Sequence, residues 1–202
     1  MACSRTLYLA CFTLLAFIAS AVAHEPHVAI PEPGFRPESE LADEFLDAFD
    51  SATVAVYPTV VRRNSRTAHS FSSQQQVVAF INDHDLAAAV PAKKRIDLGA
   101  LQGTAFGSQW ELFNHDMEQV GAALQGQQPD AQYHLVLEFM LPVSDQSIFG
   151  VHCFILDQQG QNAFSFLLNS HHQLFVDAEL VAKGKSEEAR ASLMDRATAA
   201  VM

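Results

Sequence analysis

Apolar positions recur along this chain with two periods, one helical and one extended. Leu41, Phe45, Leu46 and Phe49 stand at helical spacing behind Ser39, a residue type suited to capping, and predict a short helix over Leu41–Phe49. The β-branched run Thr53–Val61, TVAVYPTVV, predicts a strand; Pro58 cannot donate to a ladder and belongs at a strand end or on an edge. Arg62–Ser73 is polar and basic and reads as a solvated loop. Val77, Val78, Phe80 and Ile81 then mark an amphipathic helix over Gln74–Leu86. A small strand at Ala87–Val90 ends at Pro91, and Ala92–Gly107 reads as loop. Ser108 caps a helix to Leu124, with Trp110, Phe113, Met117, Val120 and Leu124 as its expected buried stripe.

The second half is dominated by extended patterns. Gln132–Leu141, QYHLVLEFML, predicts a long strand, stopped by Pro142. Val151–Leu156 and Ala163–Leu168 flank Asp157-Gln158-Gln159-Gly160, a polar break ending in glycine, and predict a hairpin. Neither run alternates cleanly, so both faces of this hairpin should be covered, with Val151, Ile155, Phe164, Phe166 and Leu168 in the core. A three-residue turn at Gln158–Gly160 would pair Asp157 with Gln161 and His152 with Phe166. After the connection Ala178–Lys185, Ser186 caps a last helix to Met202, with Glu187 and Glu188 suiting its dipole. Strands grouped at the end predict an α+β fold: a mixed or antiparallel sheet of about 4–5 strands with a central hairpin, packed by helices.

The first 23 residues stand apart. Arg5 precedes an apolar run from Leu7 to Ala19, and Ala21-Val22-Ala23 has the small-x-small pattern of signal peptide cleavage. The run is shorter than the ~20 apolar residues of a spanning helix, so no stable membrane span is expected after cleavage. Removing 23 of 202 residues leaves 179, enough for one domain at 41–202 behind a flexible, Pro-rich segment at 24–40. The expected location is periplasmic or secreted. Cys3 and Cys11 leave with the signal, so Cys153 remains alone, without an internal disulfide partner, and reads as a small buried hydrophobe. The net charge of −11 becomes −12 once Arg5 is lost, which disfavours a phosphate backbone and argues against nucleic acid as a partner.

In element order Thr53–Met202 resembles the bacterial extracytoplasmic domains of the group that includes the TolB N-terminal domain and CsgG. TVAVYP matches their Val/Ala-rich strand ending at proline, QYHLVLEF their later strand, and FGVHCFILDQQGQNAFSF their hairpin before a closing helix. The resemblance implies a non-enzymatic role, binding partners or assembling at the envelope. It carries no functional residue across by motif.

Candidate chemistry is sparse. There is no Gly-x-Ser-x-Gly elbow, HExxH motif or phosphate loop, and no catalytic residue or cofactor is assigned. Asn169-Ser170-His171-His172, directly after the hairpin, is the most unusual polar cluster, and Asn169, His171 and His172 are the candidate ligand-binding residues. A metal shared between His152 and His172 is disfavoured by about 20 Å of intervening strand, unless that strand bends. The expectation is an exported, non-catalytic domain that binds a protein or envelope partner. The alternative is a small-molecule or metal binder, or an enzyme without a recognisable motif, using that cluster.

Overall fold

A computed structural model describes residues 38–63, 66–99, 109–125, 130–141, 148, 150–169 and 187–201. Chain contacts divide it into two units, Met1–Ala48 and Phe49–Met202. Helix α1 (Glu38–Phe49) lies almost wholly in the first. It begins before the expected Leu41, so Ser39 sits inside the helix rather than capping it.

The second unit is α+β, as the pattern predicts. In chain order it contains β1 (Thr53–Val56), β2 (Thr59–Arg63), β3 (Arg66–Ser70), α2 (Phe71–Asp83), β4 (Ala88–Pro91) and α3 (Gln109–Leu124). It continues with β5 (Tyr133–Leu141), β6 (Gly150–Asp157), β7 (Asn162–Asn169) and α4 (Glu187–Val201). The seven described strands form one mixed, open sheet, more than the four or five expected. The excess has two sources.

First, TVAVYPTVV is one strand broken in two. β1 and β2 both run parallel to the same strand, with Val54 opposite Tyr133 and Val60 opposite Glu138. The seven residues Val54–Val60 therefore face the six of Tyr133–Glu138, which is a one-residue bulge at Tyr57-Pro58. The Tyr57 amide still donates to the Leu135 carbonyl at 2.9 Å, while Pro58 has no proton to give. Second, Arg66–Ser70, read as loop, is strand β3, antiparallel to β2. Its polar composition fits an edge position, where side chains remain largely in water.

β5 is the axis of the sheet. It pairs β1 and β2 along one edge and β6 along its whole other edge, and every residue from His134 to Leu141 is buried. Register places Ala55, Val60, Arg62, His134, Val136, Glu138, His152, Phe154 and Leu156 on one face. α3 contributes Phe113, Val120 and Leu124 to the apolar core on that face. α2 packs on β1, β2 and β4, and α4 packs on α2. The buried Gln74 of α2 donates to the carbonyls of Val56 and Ala92, closing the ends of the parallel pair β1–β4.

The hairpin turn forms as expected: the Asp157 amide donates to the Gln161 carbonyl, and Asp157 Oδ1 accepts from the amides of Gln159 and Gln161. Gly160 adopts φ +76°, and its backbone meets that of Gly121 in α3 so closely that a Cβ on either would lie within 2.7 Å of the other's carbonyl oxygen. Beyond the turn the register departs from expectation. Leu156 faces Asn162 but Ile155 faces Phe164, so Ala163 is an extra residue, and His152 pairs with Leu167 rather than Phe166. β6 is interior, while β7 has no second neighbour among the described residues. Val151, Ile155 and Leu168 are core as expected; Phe164 and Phe166 are only half-buried.

Cys153 lies buried in β6, unpaired, and burial pushes its thiol from an ordinary 9.0 up to about 12. A thiol reagent at neutral pH should label it only after denaturation; fast labelling of native protein would contradict its central position. The folded-state value lies above the open-chain value, so the contribution is intact below pH 9 and is lost as pH rises toward 12. Tyr57, pushed from 10.0 to about 12 by burial, acts in the same direction. Stability should therefore fall on the alkaline side, and Cys153→Ala should reduce that loss.

Candidate functional site

Four ionisable side chains converge beneath α3. Arg62 arrives from β2, Glu138 from β5, His152 from β6 and Asp116 from α3. Glu138 and His152 are direct cross-strand partners, so their side chains leave the same face side by side. Asp116 follows Phe113 by three residues and shares its helix face. The Phe113 ring meets His152 edge-on at 5.1 Å and stacks on Phe154 at 5.1 Å, walling the cluster with apolar carbon. All four side chains are at most 3 % exposed.

The geometry is reciprocal. Arg62 Nη2 donates to Asp116 Oδ1 at 3.0 Å, and Arg62 Nε lies 2.6 Å from Glu138 Oε1. The second oxygens turn to the imidazole: His152 Nδ1 is 2.9 Å from Glu138 Oε2 and 3.8 Å from Asp116 Oδ2. The latter is too long for a hydrogen bond, and Asp116 Oδ2 has no hydrogen-bond partner. Burial, and then the Glu138 charge, push the Asp116 carboxyl from 3.8 up to about 7, against the opposing pull of Arg62. One Asp, one Glu and one His oxygen or nitrogen atom lie within 4.8 Å of one another, so this is the group among the described residues that could hold a metal ion.

A second buried histidine, His134, shares that sheet face. Its Nδ1 is 3.3 Å from the Tyr57 hydroxyl, and burial, partly offset by Asp157, holds it below its ordinary range, as a neutral core residue.

The surface above the cluster carries one prominent feature. Trp110, expected in the buried stripe of α3, is instead 60 % exposed. Its ring stacks on Phe113 at 5.3 Å and 19°, and Phe113 stacks on the fully buried Phe154. Trp110 is thus the outer rung of an aromatic ladder rooted in the core. The stripe fails at its first turn because Phe113 already covers the sheet there.

Of the residues singled out in sequence, Asn169 ends β7 opposite Gly150, two cross-strand pairs beyond His152–Leu167. Ser170, His171 and His172 lie outside the described residues. The Arg62–Asp116–Glu138–His152 cluster is absent from the sequence-based candidates. Its signal was charge at positions where the pattern demands apolar residues, such as Glu138 within HLVLEFML.

Comparison with protein-family models, with curated proteins and with solved structures finds no match for this chain.

Proposed function

We propose that this chain is an exported, non-catalytic domain that binds a protein partner of the cell envelope through a surface centred on Trp110. The observation that carries the reading is the ladder Trp110–Phe113–Phe154. A large apolar side chain is held in water, and its orientation is fixed from beneath. A pre-oriented tryptophan loses little freedom on docking, and tryptophan is enriched among the residues that dominate interface energetics. The charged cluster supports the same reading from the other side, because Asp116, Glu138 and His152 are sealed from any substrate by burial. The resemblance in element order to the TolB and CsgG group agrees with it. The chain is acidic, so the partner should offer an apolar pocket rimmed by Lys and Arg.

A photo-crosslinking amino acid at position 110, in cells exporting the protein, should give one adduct of defined mass. The same probe at the exposed Ala191 of α4 should give none. With the identified partner purified, Trp110→Ala should weaken binding about 30-fold, the ~2 kcal/mol of a hot-spot residue. Identical adducts from both positions, or unchanged affinity, would refute the reading.

A further inference from the structure

We propose that Asp116, Glu138 and His152 form a binding site for one divalent transition-metal ion, zinc above others, which ties α3 to β5 and β6. The cluster is divided in a way that leaves room for this role. Arg62 engages one oxygen of each carboxylate, Asp116 Oδ1 by a hydrogen bond and Glu138 Oε1 as a close ion pair without hydrogen-bond geometry. The other two oxygens and His152 Nδ1 face one another, all within 4.8 Å. Glu138 Oε2 and His152 Nδ1 now sit at hydrogen-bond distance, 2.9 Å, and need open only to about 3.3 Å to be neighbouring tetrahedral ligands on an ion with bonds of about 2.0–2.1 Å. Asp116 Oδ2 is fully buried, points into the group and has no hydrogen-bond partner. A buried carboxylate oxygen without a partner is costly, and an ion beside it removes that cost.

Arg62 does not oppose the ion outright. With both carboxylates ionised and the imidazole neutral, the four groups carry one net negative charge, and a divalent ion changes that to one positive. Arg62 acts as the outer partner that fixes the carboxylates, as hydrogen-bonded neighbours do around metal ligands. A mixed set of two carboxylates and one imidazole fits zinc better than calcium or magnesium, which prefer oxygen alone. The competing occupant is a proton on Asp116, which neutralises the same negative charge.

The test uses the mature chain, stripped with chelator and titrated with zinc sulfate against a chromophoric competitor. One zinc per chain is expected, with a rise in melting temperature. His171→Ala/His172→Ala should retain that zinc, and Asp116→Asn should weaken it by ~100-fold or more, beyond the 10–100-fold caused by losing an outer partner. Circular dichroism checks that Asp116→Asn folds. Should it not, X-ray absorption of wild-type protein decides, with a single imidazole and carboxylate oxygens expected around zinc. Several imidazoles in that spectrum, full binding by folded Asp116→Asn, or loss in the double histidine variant would overturn the proposal. So would an absence of zinc binding by the wild-type chain; higher stability of Asp116→Asn at neutral pH would then show that the site holds a proton only. None of these outcomes bears on crosslinking at position 110.

Discussion

Arg62→Ala is expected to cost the domain about 3–5 kcal/mol, the usual consequence of removing one partner from a buried ion pair. The guanidinium is 3 % exposed and is the cation that the structure sets between Asp116 and Glu138, both fully buried. Without it two carboxylates remain beneath α3 with only His152 between them. Against the 5–15 kcal/mol typical of a domain, that loss leaves a small margin. The complementary variant separates the cost of a broken network from the value of an intact one. Arg62→Met, Asp116→Leu and Glu138→Leu together remove all three charges, and replacing buried ions by apolar groups is often neutral or stabilising. Urea unfolding followed by circular dichroism should therefore rank the triple variant well above Arg62→Ala. A loss below about 1 kcal/mol for Arg62→Ala would mean that the ion pairs do not form as described.

The contrast between these variants bears on what could be read from sequence. β5 and β6 were legible because strands buried on both faces show uninterrupted apolar runs, as in Leu135–Leu137 and Cys153–Leu156. α3 and the Asp157–Gly160 turn were legible through helical spacing and through the glycine that the turn requires. β3 was not, because an edge strand can be as polar as Arg66–Ser70 and still pair. The two bulges were not, because neither Tyr57-Pro58 nor Ala163 announces an extra residue; each follows from how the neighbouring strands fit. The charged cluster needed long-range pairing to assemble: Arg62 and Asp116 are 54 positions apart, and only the sheet brings them together. The exposure of Trp110 had the same origin, since helical spacing identifies a stripe but not how far the sheet extends beneath it.

The bulge at Ala163 makes the second large effect a test of register. Phe154 is fully buried, stacks on Phe113 and lies edge-on to His152 at 5.8 Å. Phe154→Ala should cost ~3–5 kcal/mol, the sum of lost burial and the cavity left behind. Phe166 pairs with Cys153 on the opposite sheet face, is half-buried, and belongs to a strand without a described second neighbour. Phe166→Ala should cost roughly 1–2 kcal/mol, a fraction of the 1.5–3 kcal/mol for burying such a side chain fully. A register without the bulge would reverse this expectation, because Phe166 would then face α3 beside His152. Trp110 is the chain's only tryptophan, so its fluorescence reports the α3 face directly. Phe154→Ala removes the ring beneath Phe113 and should loosen the Trp110 stack, shifting native emission toward that of a solvated indole. Phe166→Ala should leave native emission unchanged. Equal losses of stability, or a fluorescence shift only in Phe166→Ala, would place the extra residue elsewhere in β7 and remove His152 from its pairing with Leu167.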